Sequence, residues 1–293
     1  MLFGNNNYGD IMKIPYNLLT DNDKKKIIDV FYNKKKLCFK EISDLLRFSE
    51  RAISRVLKES NINTKRKNRY TLNENYFNKI DNQNKAYILG LLYADGFVGD
   101  EHYNNIVLGM KDKEIVEKVA ECIQYDGLIR KGNKGGFENS TYSYILNISS
   151  KIMAEDLRSL GLYPNKSLNM SKFPLIQKDL ERHFIRGYFD GDGSVVLSRN
   201  SSYYKSETLD KKYEYTTITI SFLGTENFLK EIVEKMSLKS YSIRNTKTSL
   251  IKELRVSSKK ESIRIFELLY ENAEVFLERK YYKWLSFLSA YVK

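Results

Sequence analysis

A pattern of twelve residues occurs twice in the chain, and nothing else constrains the fold as tightly. YILGLLYADGFV (Tyr87–Val98) returns as FIRGYFDGDGSV (Phe184–Val195), which aligns Asp95 with Asp192 and Gly96 with Gly193 at a separation of 97 residues. The sequence after each copy corresponds as well. Strand-like NIVLGM, helical DKEIVEKVAECI, strand-like YSYILNIS and helical KIMAEDLRSLG are matched by TITISF, TENFLKEIVEKMS, YSIRNTKTSLIKELRVS and KKESIRIFELLYEN. Each unit reads helix, two strands, helix, two strands, helix, and fixed-period self-similarity of this kind marks a repeated architecture.

Inside the repeated helix, Gly90 and Ala94 are spaced like Gly187 and Gly191. Small residues at i and i+4 share a face and let two helix backbones approach closely. If the copies pack there, Asp95 and Asp192 arrive together at the negative ends of two helix dipoles, where paired carboxylates need protons or cations. A Mg²⁺ site meets that need, because the ion takes a few carboxylate oxygens and keeps room for water and phosphate. Gly96 and Gly193 are expected as left-handed caps beside it, close enough for a phosphate backbone or the metal.

The charge is uneven. Residues 1 to 80 carry 17 basic and 9 acidic residues, a net of +8 out of the chain's +12. Such an excess favours a polyanion, with nucleic acid ahead of an anionic membrane surface. Near the start, Thr20 is placed to cap a helix bearing Ile27, Ile28 and Phe31. Ile42, Leu45 and Leu46 make a second apolar stripe, Ser49 can cap a third helix, and Ile53, Val56 and Leu57 form its stripe. Two short helices around Phe48-Ser49 outline a helix-turn-helix. Arg51, Ser54, Arg55 and Lys58 lie opposite the apolar stripe, where a recognition helix presents its groove-facing side chains. The basic run NTKRKNRY follows, and its Lys65, Arg66, Lys67 and Arg69 suit a phosphate backbone or minor groove.

Other chemistries are disfavoured. The two cysteines, Cys38 and Cys122, and the two histidines, His102 and His183, are isolated in sequence, which argues against zinc and against a Ser-His-Asp hydrolase. Both cysteines are expected as small core residues in a reducing compartment. No stretch matches the roughly 20 apolar residues of a membrane span, and no secretion signal opens the sequence. A cytoplasmic location is expected, with an organelle as the alternative.

ILGLLYADG (Ile88–Gly96) and IRGYFDGDG (Ile185–Gly193) resemble the motif of the LAGLIDADG homing endonucleases in their single-chain, two-motif form. The resemblance implies an α+β chain with two pseudo-symmetric αββαββα repeats, whose antiparallel, saddle-shaped sheets are preceded here by the small all-α module. The expected division is 1–62 for the helix-turn-helix module, 63–80 for a basic linker, 81–182 for the first repeat and 183–293 for the second. The family's metal-binding acid falls on Asp95 and Asp192. Tyr93 departs from the motif's other acidic position, which Asp190 keeps.

The resemblance further implies a monomeric, Mg²⁺-dependent endonuclease that cuts both strands of a long, weakly palindromic duplex, with Mn²⁺ able to substitute. Lys166 and Lys280 are in place to assist at the scissile phosphate. Arg130, Lys131, Lys205, Arg244 and Lys247 are expected to contact DNA from the sheets or hairpin loops. Two alternatives stay open, a non-cleaving transcription regulator and an RNA maturase. An intein is disfavoured, because the sequence has neither the Cys or Ser start nor the terminal His-Asn that splicing requires.

Overall fold

The computed structural model describes residues 13–34, 37–64, 70–132, 142–164, 172–205, 210–247 and 250–289. It divides into two compact units, residues 1–71 with 126–128 and residues 72–125 with 129–293.

The smaller unit holds α1 (Asp21–Asn33), α2 (Phe39–Leu46) and α3 (Glu50–Glu59). Thr20 starts α1 with a capping box: its Oγ1 accepts from the Asp23 amide at 3.2 Å, and its own amide donates to Asp23 at 3.1 Å. A left-handed Arg47 (φ 62°) turns the chain between α2 and α3, and Ser49 Oγ accepts from the Ala52 amide at 3.1 Å to begin α3. Ile27, Phe31, Ile42, Phe48, Ile53, Val56 and Leu57 form one small core. Leu45 does not join it. It is 49% exposed, and the small Ser43 is buried instead, where its hydroxyl donates to the Phe48 carbonyl at 2.6 Å.

The larger unit contains both repeats. The first runs α4 (Gln83–Asp95), β1 (Gly96–Val98), β2 (Asn105–Met110), α5 (Lys113–Cys122), β3 (Arg130–Lys131), β4 (Tyr144–Ser149) and α6 (Lys151–Ser159). The second runs α7 (Glu181–Asp192), β5 (Ser194–Lys205), β6 (Asp210–Gly224), α8 (Glu226–Lys235), β7 (Ser242–Asn245), β8 (Lys252–Val256) and α9 (Lys259–Tyr270), and α10 (Glu278–Ser289) follows. Both sheets are four-stranded and antiparallel, with the equivalent orders β1-β2-β4-β3 and β5-β6-β8-β7.

Strand alternation gives each sheet a buried and an open face. Ile106, Leu108, Leu146 and Ile148 of the first sheet, and Ile218, Ile220, Phe222, Leu254 and Val256 of the second, face the helices and are buried. Between the sheets lies α4, apolar on every side and buried from Ala86 to Ala94, as a helix covered all round must be. Its main partner is α7.

The halves differ in one strand pair. β1 and β2 pair over only three residues, Gly96 to Val98. β5 and β6 pair from Ser194 to Lys205, so a two-stranded ribbon extends past the rest of the second sheet. The sequence leaves residues 203–215 open between sheet and hairpin loop, and in the fold 203–205 and 210–215 are strand. Tyr203, Tyr204, Tyr213 and Tyr215 supply β-propensity on both strands of the ribbon, and cross-strand pairing outweighs the turn-forming residues.

Candidate functional site

The site is built by the approach of α4 and α7. A Cβ on Gly187 would lie 1.9 Å from the Tyr87 carbonyl oxygen, and one on Gly90 would lie 2.0 Å from that of Phe184. The two clashes are reciprocal under the 97-residue offset, so the helices cross about a pseudo-two-fold axis with backbone against backbone. Each acid follows its glycine by five residues, about 7.5 Å further along the helix. Both acids therefore leave the crossing at the same end.

There Asp95 reaches the other motif. Its Oδ2 lies 3.1 Å from where a Gly191 Cβ would stand, one residue before Asp192. Asp95 is exposed and Asp192 half-buried. Both carboxylates act on the Tyr188 hydroxyl, whose pKa burial first of all, then Asp192 and Asp95, pushes well above its ordinary value. Both also favour the charged form of Lys280. Among the described residues, no group of three or more His, Cys, Asp or Glu side chains could hold a metal ion. Protein carboxylates at this site thus amount to a pair, and further donors have to come from carbonyl, water or phosphate oxygens.

Gly96 and Gly193 are not left-handed. Their φ values are −84° and −82°, in extended backbone open to any residue. What requires glycine is space: the chain doubles back so sharply that a Cβ would lie 2.6 Å from the Leu92 carbonyl oxygen in one copy and 2.5 Å from that of Phe189 in the other.

Lys280, on the first turn of α10, is 5% exposed and points inward. Its ammonium donates to the carbonyls of Phe189 and Asp190 at 2.7 Å each, Gly191 at 3.0 Å, and Gly193. Asp190 and Gly191 are among the last four residues of α7, whose carbonyls have no partner within the helix, while Phe189 also accepts from the Gly193 amide at 2.8 Å, so the lysine clamps the end of α7 that carries Asp192. Burial lowers its pKa to about 8 against the pull of Asp190, Asp95 and Asp192. The charged form is thus less favoured in the fold than in the unfolded chain. Stability is expected to rise with pH between about 8 and the ordinary 10.5, by roughly 3 kcal/mol at most. Urea denaturation from pH 7 to 10.5 checks this, and Lys280→Met should lose the rise.

Asp190 occupies the motif position where the first copy has Tyr93. It is fully buried and accepts from the Tyr87 hydroxyl, the Tyr270 hydroxyl and the Leu277 amide, each at 2.8 Å. Burial raises its pKa, and the three hydrogen bonds oppose that. In the first copy the Tyr93 hydroxyl donates to the Leu160 carbonyl just past α6. Each copy thereby ties its motif helix to the end of its repeat, by donation in one and by acceptance in the other. The Leu277 bond also fixes the entry to α10, and so Lys280.

The basic residues anticipated from the sequence separate by register. Arg130 pairs with Ile145 on the open face of the first sheet, whereas Lys131 pairs with Tyr144 on the opposite parity and packs over the Tyr142 ring at 3.9 Å. Arg244, opposite Glu253, is on the open face of the second sheet, and Lys247 is exposed just past β7. Lys205 ends the ribbon ladder opposite Asp210. In the smaller unit, Arg51, Ser54 and Lys58 are exposed along α3, while Arg55 is held by Glu59 at 2.8 Å and lies over the Tyr16 ring at 4.0 Å. Lys65, Arg66, Lys67, Arg69 and Lys166 fall outside the described residues. Arg255 was not anticipated. It lies on the open face of β8 between the buried Leu254 and Val256, and that alternation is the signal that reveals it.

Residues 179–268, from just before α7 into α9, match a family model described as a LAGLIDADG-like domain. The second repeat is thus similar to a LAGLIDADG-like domain. The crystal structure of the I-LtrWI LAGLIDADG homing endonuclease bound to target DNA has the same fold, with a TM-score of 0.50 and 16% identity over 75% of this chain and 92% of that one. An uncharacterized protein of Methanocaldococcus jannaschii is 25% identical over 204 residues, 65% of this chain and 69% of its own length. The two four-stranded sheets and the helices between them are therefore the fold shared with that solved structure. Among the described residues, no helix is long and apolar enough to cross a membrane.

Proposed function

We propose that the chain is a site-specific endonuclease that hydrolyses both strands of a long duplex DNA with the help of divalent metal. One observation carries this reading: Asp95 and Asp192 come together at the C-terminal ends of two helices in backbone contact, where their mutual repulsion and the helix dipoles favour a bound cation in addition to the ammonium of the buried Lys280. Hard oxygen donors of this kind fit Mg²⁺, with Mn²⁺ as a substitute. Asp95 and Asp192 would hold the metal, with Gly96 beside the first acid and Gly193 beside the second, although the Gly193 carbonyl already accepts from Lys280. Metal bound there would activate water and stabilise the leaving 3′ oxygen.

The chain's own residues do the rest. The open sheet faces lie along the duplex, with Arg130 on one side and Arg244 on the other, and the ribbon lengthens the second side. A two-stranded ribbon fits the major groove. Lys280 acts by holding the end of α7, and with it Asp192, while Lys166 is the lysine left to meet the phosphate. Arg51, Ser54 and Lys58 of the N-terminal unit, with the basic run at 65–69, add affinity for phosphate. Because one chain carries both halves, a monomer suffices.

The test is incubation of the full chain with a randomised duplex library, with Mg²⁺ or with a chelator, followed by sequencing of the ends. Paired breaks at one long sequence, lost on chelation, support the reading. Tight binding of one sequence without breaks would replace it with the regulator, and binding of RNA alone with the maturase.

A further inference from the structure

The open faces carry different chemistry where they leave the acids. Ser194, two residues past Asp192, pairs with Ser221, which pairs with Arg255, which pairs with Ser242. This is a complete row across four strands, and Arg255 stands in it about 10 Å from Ser194 by strand spacing. The corresponding row of the first half is Phe97, Val107 and Asn147. Hydroxyls and a guanidinium on one side face an aromatic ring, a branched aliphatic and an amide on the other.

Arg255 is set for an external acceptor. Its neighbours Leu254 and Val256 are fully buried, which fixes the side chain to the open face. Its Nε is shielded and has no hydrogen-bond partner, and it forms no ion pair among the described residues. The two flanking hydroxyls are partly spent, since Ser221 bonds Ser194 at 2.8 Å and Ser242 accepts from Arg244 Nε at 3.2 Å. A half-buried guanidinium keeps a fixed direction, and its planar fork suits two acceptors side by side.

We infer that Arg255 reads a guanine edge in the second half-site just outside the cut, and that Asn147 with Val107 and Phe97 reads an A·T pair at the related place in the first. The pairing chemistry is general: arginine bridges guanine O6 and N7, asparagine bridges adenine N6 and N7, and apolar side chains meet the thymine methyl. The target is thus asymmetric next to its centre. This inference rests on the DNA reading above and specifies its substrate.

The test is selection of bound sequences from a randomised duplex library without Mg²⁺, for the parent, Arg255→Met and Asn147→Ala, with thermal melts to confirm folding. Arg255→Met should relax preference about tenfold to hundredfold at a single base pair of the second half-site, and Asn147→Ala at one pair of the first. Equal weakening on all sequences would make Arg255 a phosphate contact and overturn the inference, as would an unchanged profile. A parent that selects no sequence would overturn the DNA reading itself, and this inference with it.

Discussion

Asp192→Asn, and equally Asp95→Asn, is expected to leave the chain folded and bound to its duplex but unable to cut. The carboxylates are needed only when charge develops at the phosphate, where metal-assisted stabilisation supplies several kcal/mol. At about 1.4 kcal/mol per decade, loss of one ligand lowers the rate about a thousandfold or more. Stability should move the other way. Each acid ends a helix, where negative charge opposes the dipole by about 0.3–1 kcal/mol, and each repels its twin. Single-turnover cleavage beside urea denaturation separates the two effects. Lower stability in both variants would mean that the acids serve as structural groups.

Gly187→Ala should be the most damaging single methyl in the chain. In an exposed helix the exchange would stabilise by nearly 1 kcal/mol, because alanine is the better helix former. Here the new Cβ would stand 1.9 Å from the Tyr87 carbonyl oxygen, and backbone cannot turn aside as a side chain can. The helices must separate, which also disturbs the packing of Phe184, Tyr188 and Tyr87 and moves Asp95 away from Gly191. A loss of about 3 kcal/mol or more is expected, at the upper end of overpacking costs. Since a domain has only about 5–15 kcal/mol in hand, Gly187→Val should fail to fold. A denaturation midpoint for Gly187→Ala close to the parent's would mean that α4 and α7 do not cross in backbone contact.

The sequence revealed the features that are written twice. Two motifs with matching downstream elements fix the repeat order, and small residues four apart announce the crossing, because a missing side chain is visible in one dimension. Capping by Thr20 and Ser49 is legible for the same local reason. Side-chain direction is not local. Lys280 is expected from the family resemblance at the scissile phosphate, and only the packing of α10 against the end of α7 turns it inward onto backbone carbonyls. Lys131 and Arg130 look alike until register puts them on opposite faces. Gly96 and Gly193 suggest left-handed caps from residue type, yet their requirement is clearance from the preceding turn. Arg255 was within reach, since Leu254 and Val256 flank it in strict alternation.

The central claim is that Asp95 and Asp192 form one cation site completed by DNA. Titration of Mn²⁺ into the full chain bound to its selected duplex, followed by electron paramagnetic resonance, tests this most directly. The Asp95→Asn/Asp192→Asn double variant on the same duplex is the reference. The expected result is tight, saturable Mn²⁺ binding by the parent complex that the double variant loses while still holding DNA. Equal Mn²⁺ occupancy in the two complexes would contradict the claim that the paired acids bind the metal.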